Sequence, residues 1–240
     1  MVQHRQSAPV LTRLASLTCF NDTATAELYT LLGAYLASGF AALATPAVLL
    51  AGLVVALVVA YGFVINDYAD FELDSATKPT RPLPSGLFTP AAALQIAGVL
   101  AGAAIVLALW LPALLLAMAV VNVALATAYA LLLKRTVLLG NVAMALLNSS
   151  IVLFGALAAG TLSDLVWVVA AVSLLYTLAQ ELLYTVDDFA GDAAAGIVTT
   201  AIYFGTGTTL WLVRLLLLLT LVSACVPWLL GGAPIWYLAA

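Results

Sequence analysis

Two polar segments of the chain carry most of its acidic side chains, and the spacing of these side chains is the same in both. In the first segment Asn66, Asp70 and Asp74 are four residues apart, and in the second Asp188 and Asp192 repeat that interval. Four residues turn an α-helix by about 400°, so side chains at this spacing lie on one face, stacked along the axis. Both segments are therefore predicted to present a row of oxygen ligands.

Carboxylates this close repel one another and destabilise a helix, so they need a cation. Oxygen ligands without histidine or cysteine favour Mg²⁺ over zinc or copper. Magnesium in proteins is typically held by few carboxylates together with water and phosphate oxygens. Two such segments facing each other would hold magnesium ions around a diphosphate. The predicted metal ligands are Asn66, Asp67, Asp70, Asp74, Glu181, Asp188 and Asp192.

Four basic residues are predicted on the same side of the membrane as the two acidic segments and could bind the phosphate oxygens. Lys78 and Arg81 come after the first acidic segment, and Lys134 and Arg135 lie in another connection. Simpler interpretations stay open at this point. An acidic connection can be a solvated loop, and positive charge beside membrane spans is expected from topology alone.

The chemistry that needs such a site is ionisation of an allylic diphosphate. Metal ions and cationic side chains stabilise the departing diphosphate. The allylic cation must be kept from water, and aromatic faces can stabilise it. Tyr129, Trp167 and Tyr176 could serve in that way or simply pack and anchor the helices.

The rest of the chain is apolar enough to place this site in a membrane. Of its 240 residues 65% are hydrophobic and 8% are charged, and the mean hydropathy is +1.19. A soluble domain carries about 25% charged residues. The composition therefore excludes a water-soluble enzyme, a nucleic-acid-binding protein and a disordered chain, and indicates an integral, multi-pass membrane protein.

Seven segments are long and apolar enough to be predicted as membrane spans, which makes the fold an all-α bundle of about seven to eight transmembrane helices. An eighth apolar segment begins near residue 234 and reaches residue 240. We expect a single domain over residues 1–240, with a polar N-terminal tail at 1–25. The predicted spans are residues 26–43, 46–65, 90–109, 112–133, 138–159, 165–183 and 208–230.

Orientation follows from the basic residues, because positive charge is enriched on the cytoplasmic side. With seven spans, all seven basic residues fall on one side, and Asp164 is the charge left on the other. The N-terminus and both acidic segments are therefore predicted to be cytoplasmic. The basic residues are Arg5, Arg13, Lys78, Arg81, Lys134, Arg135 and Arg214.

These motifs resemble those of the UbiA superfamily of intramembrane prenyltransferases. The first acidic segment is similar to the family's NDxxDxxxD motif, and the KPxRPLPSG run follows intact at residues 78–86. The second resembles the DxxxD motif, as DDFAGD at residues 187–192 followed by Gly196. Residues 129–141, YALLLKRTVLLGN, are similar to the stretch between the fourth and fifth helices of the family. The motif sequences are most similar to those of the branch that contains chlorophyll synthases and archaeal geranylgeranylglyceryl-phosphate prenyltransferases.

The resemblance implies a helical bundle around a central cavity, which the two motif segments cap on the cytoplasmic side. It implies Mg²⁺-dependent transfer of an isoprenyl group from its diphosphate to a lipophilic acceptor, such as an aromatic compound, a quinone precursor, a chlorin or a glycerol-phosphate lipid. Its partners would be the isoprenyl diphosphate donor, that acceptor and membrane lipids. The implied catalytic residues are Asp70, Asp74, Asp188 and Asp192. The implied diphosphate-binding residues are Asn66, Lys78, Arg81, Tyr129, Lys134 and Arg135.

The chain departs from the family pattern in three ways. Thr185 stands where many relatives have a further aspartate, so metal binding at the second motif is expected to be weaker. Phe71 replaces a position that is commonly arginine or another polar residue. The family usually has nine spans, whereas this sequence ends at the start of an eighth, which would leave the ring of helices open on one side.

Two other functions are weighed against prenyl transfer. A terpene cyclase of the same superfamily would ionise the same diphosphate but let the donor's own double bond attack the cation. A non-catalytic transport or assembly protein would keep only the fold. A transporter is expected to carry ionisable residues along a route through its spans, and the span centres here are almost free of charge.

Overall fold

The computed structural model describes residues 9–229, and within this range the chain folds into eleven α-helices without a β-strand. A short 3₁₀ helix, Phe40–Ala44, precedes the third α-helix, and a π turn, Tyr129–Leu133, extends the sixth. The helices are α1 (Val10–Leu17), α2 (Phe20–Ser38), α3 (Pro46–Ala69), α4 (Phe71–Thr77), α5 (Pro90–Ala108), α6 (Ala113–Ala128), α7 (Leu139–Ala158), α8 (Asp164–Asp187), α9 (Phe189–Ala195), α10 (Thr200–Phe204) and α11 (Thr206–Leu229).

Six helices of the described part are long and apolar enough to cross a membrane: α3, α5, α6 with its π turn, α7, α8 and α11. The integral membrane protein and the all-α bundle are thereby confirmed, but the count of seven to eight spans is not. The predicted span 26–43 falls on α2 and the 3₁₀ helix, and Asp22 and Glu27 lower the hydropathy of α2. The predicted segment from residue 234 lies outside the described residues.

The long helices begin at recognisable N-caps. The hydroxyl groups of Thr45, Thr89 and Ser163 accept hydrogen bonds from the backbone N–H groups of the first turns of α3, α5 and α8. Pro46 and Pro90 occupy the first helical position of α3 and α5, where the missing N–H has no intrahelical partner to lose. Local sequence therefore sets the start of three membrane helices.

Helix α3 lies at the centre of the bundle and packs against α2, α5, α6 and α7, while α8 lies between α7 and α11. Helices α2 and α7 cross with their backbones in contact. A Cβ atom at Gly33 would overlap the carbonyl oxygen of Val152, and one at Gly155 would overlap that of Thr30. Only glycine permits this approach at either position, so the close crossing depends on both glycines.

Helix α1 lies within the predicted polar tail and packs against the bundle. Leu17 is fully buried, in a cluster that includes Val64 of α3 and Leu83 of the connection between α4 and α5. Arg13 donates to the carbonyl oxygen of Leu87, and its guanidinium lies 5.3 Å from the centre of the Phe88 ring. Through these contacts α1 supports the connection that carries Arg81.

Candidate active site

The first acidic segment spans the junction between α3 and α4, and its backbone stays helical across it. Asp70 caps the end of α3. Its N–H donates to the carbonyl of Asn66, and the N–H of Asp74 donates to the carbonyl of Asp70. The predicted spacing therefore holds, and Asn66, Asp70 and Asp74 line the same cavity.

Basic side chains neutralise this segment. The Lys134 ammonium donates to Asp70 at 2.6 Å and to the side-chain oxygen of Asn66 at 3.2 Å. Arg81 donates to Asp74 at 3.0 Å and to Asp67 at 3.1 Å. Burial lowers the pKa of Lys134 from its usual value, and its hydrogen bond and charge interaction with Asp70 oppose that shift. Lys134 and Arg81 are thus already paired with the carboxylates of the first acidic segment.

The second acidic segment has the same design at the junction between α8 and α9. Asp188 lies at the end of α8, and the N–H of Asp192 donates to its carbonyl oxygen at 2.9 Å. Burial raises the pKa of Asp192, the negative charge of Asp188 adds to the rise, and a hydrogen bond donated by Thr199 opposes it. Within the described part of the chain, Asp188 makes no hydrogen bond or salt bridge through its side chain.

Both segments line one polar cavity of about 340 Å³, to which the ends of α3, α6, α7 and α8 contribute. This places the two predicted clusters at the same end of the bundle. The predicted residues that line the cavity are Asn66, Asp70, Asp74, Lys78, Arg81, Tyr129, Lys134, Arg135, Glu181, Asp188 and Asp192.

Asp67 is the predicted metal ligand that does not line this cavity. Its carboxylate accepts from Arg81, and its side chain is 16% exposed. In the structure Asp67 therefore holds the guanidinium that also pairs with Asp74. Its role as a metal ligand stays a prediction.

Several residues of the polar cavity were missed by the sequence analysis, among them Asn141, Tyr184 and Thr199. Asn141 accepts a hydrogen bond from the Thr200 hydroxyl, which in turn accepts from the backbone N–H of Leu138. The position of Asn141 at the end of the YALLLKRTVLLGN stretch was the available signal, because that stretch also holds Tyr129 and Lys134.

A second cavity, of about 200 Å³, lies next to the polar one, in the apolar interior. We call it the chamber. It lies between α3, α6 and α7 and is lined mainly by aliphatic and aromatic side chains. Asn66 and Tyr129 line both cavities, so the two cavities adjoin at these residues, which we call the junction. A molecule with a charged head and a hydrocarbon tail matches this pair of cavities.

The π turn after α6 positions two groups of the site at once. The Lys134 N–H donates to the carbonyl of Tyr129 at 3.1 Å, five residues back. The wider turn brings the Tyr129 ring to the junction of the cavities and the Lys134 ammonium to Asp70. Such π turns are frequent at functional sites.

The donor set of the polar cavity fits magnesium that shares its ligands with phosphate. Among the residues described, no three histidine, cysteine, aspartate or glutamate side chains converge into a ready-made metal site. The carboxylate and amide oxygens of the predicted metal ligands in this cavity come from the first acidic segment on one wall (Asn66, Asp70 and Asp74) and from α8 and the second segment on the other (Glu181, Asp188 and Asp192). Magnesium usually completes such a set with water and phosphate oxygens rather than with protein ligands alone.

The net charge of the polar cavity also indicates that additional cations are needed when an anion binds there. Five acidic and four basic side chains line it, so the protein by itself supplies a slight excess of negative charge. A diphosphate would increase that excess. Magnesium bound with the diphosphate would balance it, which is how phosphate-bearing substrates are commonly held.

Residues 28–240 match the UbiA prenyltransferase family. The chain belongs to this family. The resemblance inferred from the motifs is confirmed, and with it the assignment as a prenyltransferase enzyme, which transfers an isoprenyl group from a polyprenyl diphosphate to a lipophilic acceptor.

Curated relatives of this UbiA-family protein include digeranylgeranylglyceryl phosphate synthases of archaea. The chain is 40% identical over 191 residues to that of Methanoculleus marisnigri, an alignment that covers 79% of this chain and 67% of the relative. It is 36% identical over 221 residues to that of Halobacterium salinarum, covering 91% and 79%.

Solved structures share the fold. A digeranylgeranylglyceryl phosphate synthase structure superposes with a TM-score of 0.80 at 30% identity, covering 95% of this chain and 81% of the other. A UbiA homologue from Archaeoglobus fulgidus, bound to GPP and Mg²⁺, superposes with a TM-score of 0.76 at 16% identity, covering 94% and 80%. The second likeness concerns the fold alone.

Proposed function

We propose that this UbiA-family protein uses Mg²⁺ to transfer a geranylgeranyl group from its diphosphate to a glycerol-phosphate lipid. The observation that carries the proposal is a pair of adjoining cavities. One is polar and lined by both acidic segments, and the other is mainly apolar. The synthase names of the relatives that are 36–40% identical support this donor and acceptor.

The donor would lie with its diphosphate in the polar cavity and its hydrocarbon in the chamber. Its reacting carbon would then be at the junction formed by Asn66 and Tyr129. Three basic side chains of the polar cavity are placed to bind phosphate oxygens. Lys134 and Arg135 lie beside Asp70, and Arg81 lies beside Asp74. Charge-assisted bonds of this kind are about twice as strong as neutral ones.

The reaction begins when the bond between the allylic carbon and the diphosphate oxygen breaks and the electron pair leaves with the diphosphate. Bound magnesium would supply Lewis-acid stabilisation of the leaving group. The cationic side chains stabilise the same charge as it develops. An acceptor hydroxyl then attacks the allylic carbon and loses its proton, which completes the ether.

The chamber protects the allylic cation from water. Aliphatic residues such as Val58 and Leu147 line it, and Tyr129 presents its ring at the junction. Exclusion of water prevents premature capture of a reactive intermediate, and an aromatic face attracts a cation.

The proposal can be tested with the full-length protein in lipid vesicles. We expect labelled geranylgeranyl diphosphate and geranylgeranylglyceryl phosphate to yield a doubly prenylated lipid, with release of diphosphate that stops when Mg²⁺ is chelated. Release of diphosphate with a cyclised hydrocarbon in the absence of acceptor would instead indicate a terpene cyclase. A protein that releases no diphosphate under any of these conditions would contradict the enzymatic proposal.

We also propose that the polar cavity faces the cytoplasm. Ser85 lies in the connection that carries Arg81, whereas Thr161 lies between α7 and α8 at the opposite end of those helices. In a background with Cys19→Ser and Cys225→Ser, we expect an impermeant thiol reagent added outside cells to label Thr161→Cys but not Ser85→Cys. The opposite pattern would show that the cavity faces outward.

A further inference from the structure

Of the residues of α7 that line the chamber, Phe154 lies farthest along the helix from the polar cavity. Phe154 lines the chamber and is 1% exposed, in a buried cluster that also includes Val54 of α3 and Ala26 of α2. It is the bulkiest fully buried side chain of the described residues. The hydrocarbon of a donor that enters from the polar cavity would therefore meet Phe154 last.

The depth of the chamber can be read along α3. At a rise of about 1.5 Å per residue, Val54 lies about 18 Å below Asn66, which marks the junction with the polar cavity. An extended hydrocarbon with C–C bonds of about 1.5 Å advances about 1.3 Å per bond, so this depth holds about 14 bonds. At about four main-chain bonds per isoprene unit, that is between three and four units.

The backbone beside Phe154 is fixed. Gly155 packs against the carbonyl oxygen of Thr30, and the carbonyl oxygen of Val152 packs against Gly33. The crossing of α2 and α7 therefore holds α7 on both sides of Phe154. Packed interiors respond to added volume with strain rather than with free movement, so a longer chain cannot simply displace this end of the chamber.

We propose that Phe154 sets the upper limit of donor chain length, at about four isoprene units. This proposal rests on the proposed function, since it assumes that a prenyl diphosphate occupies the adjoining cavities. A slightly bent geranylgeranyl chain fills the chamber, and a chain with a fifth unit meets the Phe154 ring. Phe154 is then a specificity-determining residue, remote from the reacting carbon.

A series of donors with two to five isoprene units tests the assignment in vesicles. For the wild-type protein we expect kcat/KM to fall sharply between the four-unit and the five-unit donor. Phe154→Ala removes the ring, and we expect it to raise the five-unit to four-unit ratio of kcat/KM at least tenfold. An unchanged ratio in a folded Phe154→Ala protein would overturn the proposal.

A second variant, Val58→Phe, shortens the chamber instead of lengthening it. It tests whether chamber depth limits donor length even if Phe154→Ala fails to fold. Val58 lines the chamber about 12 Å below Asn66, and Val58→Phe would shorten the chamber to between two and three units. We expect its preferred donor to move to two or three units. Preference for four units in Val58→Phe would count against a chamber whose depth selects the donor.

Leu115→Ala is the matched control. Leu115 is 1% exposed and belongs to the same buried cluster as Phe154, but it does not line the chamber. The substitution Leu115→Ala removes buried volume without changing the chamber. The ratios of kcat/KM between donors of different length should therefore equal those of the wild type. A wild-type protein that turns over no donor of any length would overturn the proposed function itself, a result distinct from an unchanged length profile.

Discussion

The two acidic segments share one backbone design but differ in their electrostatic surroundings. Both place an aspartate at the end of a long membrane helix and a second one four residues later, in a short helix that follows. Asp70 and Asp74 are held by Lys134 and Arg81 through salt bridges. On the second segment, none of the basic residues in the described range forms a salt bridge with Asp188.

This difference assigns separate tasks to two motifs that look alike in sequence. In the first acidic segment, Lys134 and Arg81 are already paired with Asp70 and Asp74, and we propose that this wall of the polar cavity binds phosphate before any metal does. In the second acidic segment, Asp188 and Asp192 form no salt bridge with the described basic residues, although the positive charge of Lys78 acts on Asp192. Like charges so close are stabilised by an added cation. We infer that magnesium contributes most to the second wall and that preformed salt bridges contribute most to the first.

The largest expected effect is that of Asp70→Ala, which removes the carboxylate paired with Lys134 in the first acidic segment. The Lys134 side chain is only 12% exposed, and loss of its carboxylate leaves a largely buried ammonium with Asn66 as its remaining partner. We expect turnover of labelled geranylgeranyl diphosphate to fall by about 10²–10³-fold and the free energy of unfolding to fall by about 1–3 kcal/mol.

Asp164→Ala is the control for Asp70→Ala, because Asp164 lies in the first turn of α8, outside both cavities. Turnover and thermal unfolding in detergent should remain close to wild type in Asp164→Ala. Near-normal turnover in Asp70→Ala would show that the first acidic segment is not part of the active site.

Asp188→Ala is expected to have a smaller overall effect because it changes activity without stability. The side chain is exposed and makes no salt bridge to the described residues, so thermal unfolding should be unchanged. Turnover should fall by about 10²-fold, with a higher Mg²⁺ concentration needed for half-maximal rate. If Asp188→Ala lowered stability as much as Asp70→Ala, the proposed contrast between the two walls would be wrong.

The smallest expected effect comes from Thr185→Asp, which sharpens the contrast by adding charge to the second wall. Thr185 lines the polar cavity, and its hydroxyl donates to the carbonyl of Leu182. Because metal affinity rises with the number of charged ligands, half-maximal activity should need several-fold less Mg²⁺. Thr185→Asn, which adds the shape without the charge, should leave the Mg²⁺ requirement unchanged, and equal shifts in both variants would rule out a charge effect.

Much of the site was predictable because helical spacing is a local property. Asn66, Asp70 and Asp74 share a face on the sequence pattern alone, and the structure keeps them on it. The partner of Asp67 could not be predicted in this way. Its carboxylate accepts from Arg81, it is not among the residues that line the polar cavity, and its role as a metal ligand stays a prediction.

Elements that depend on tertiary packing were predicted less well. The sequence predicts a polar tail where α1 packs on the bundle, because Leu17 becomes part of a buried cluster only through Val64 and Leu83, which are distant in sequence. The first predicted span includes an apolar stretch of α2, yet Asp22 and Glu27 near its start keep the whole helix below the hydropathy of the other six.

The sequence by itself determined the membrane environment, the helical class, the acidic and basic residues and the family, because these depend on composition and on spacing within single helices. Tertiary structure decided which carboxylates are paired, that both segments share one cavity, and that this cavity adjoins a chamber lined by Phe154. Those features join side chains that are far apart in the chain. Their distances are set by how α3, α6, α7 and α8 pack, and by the glycine crossing of α2 with α7, which no single-helix pattern records.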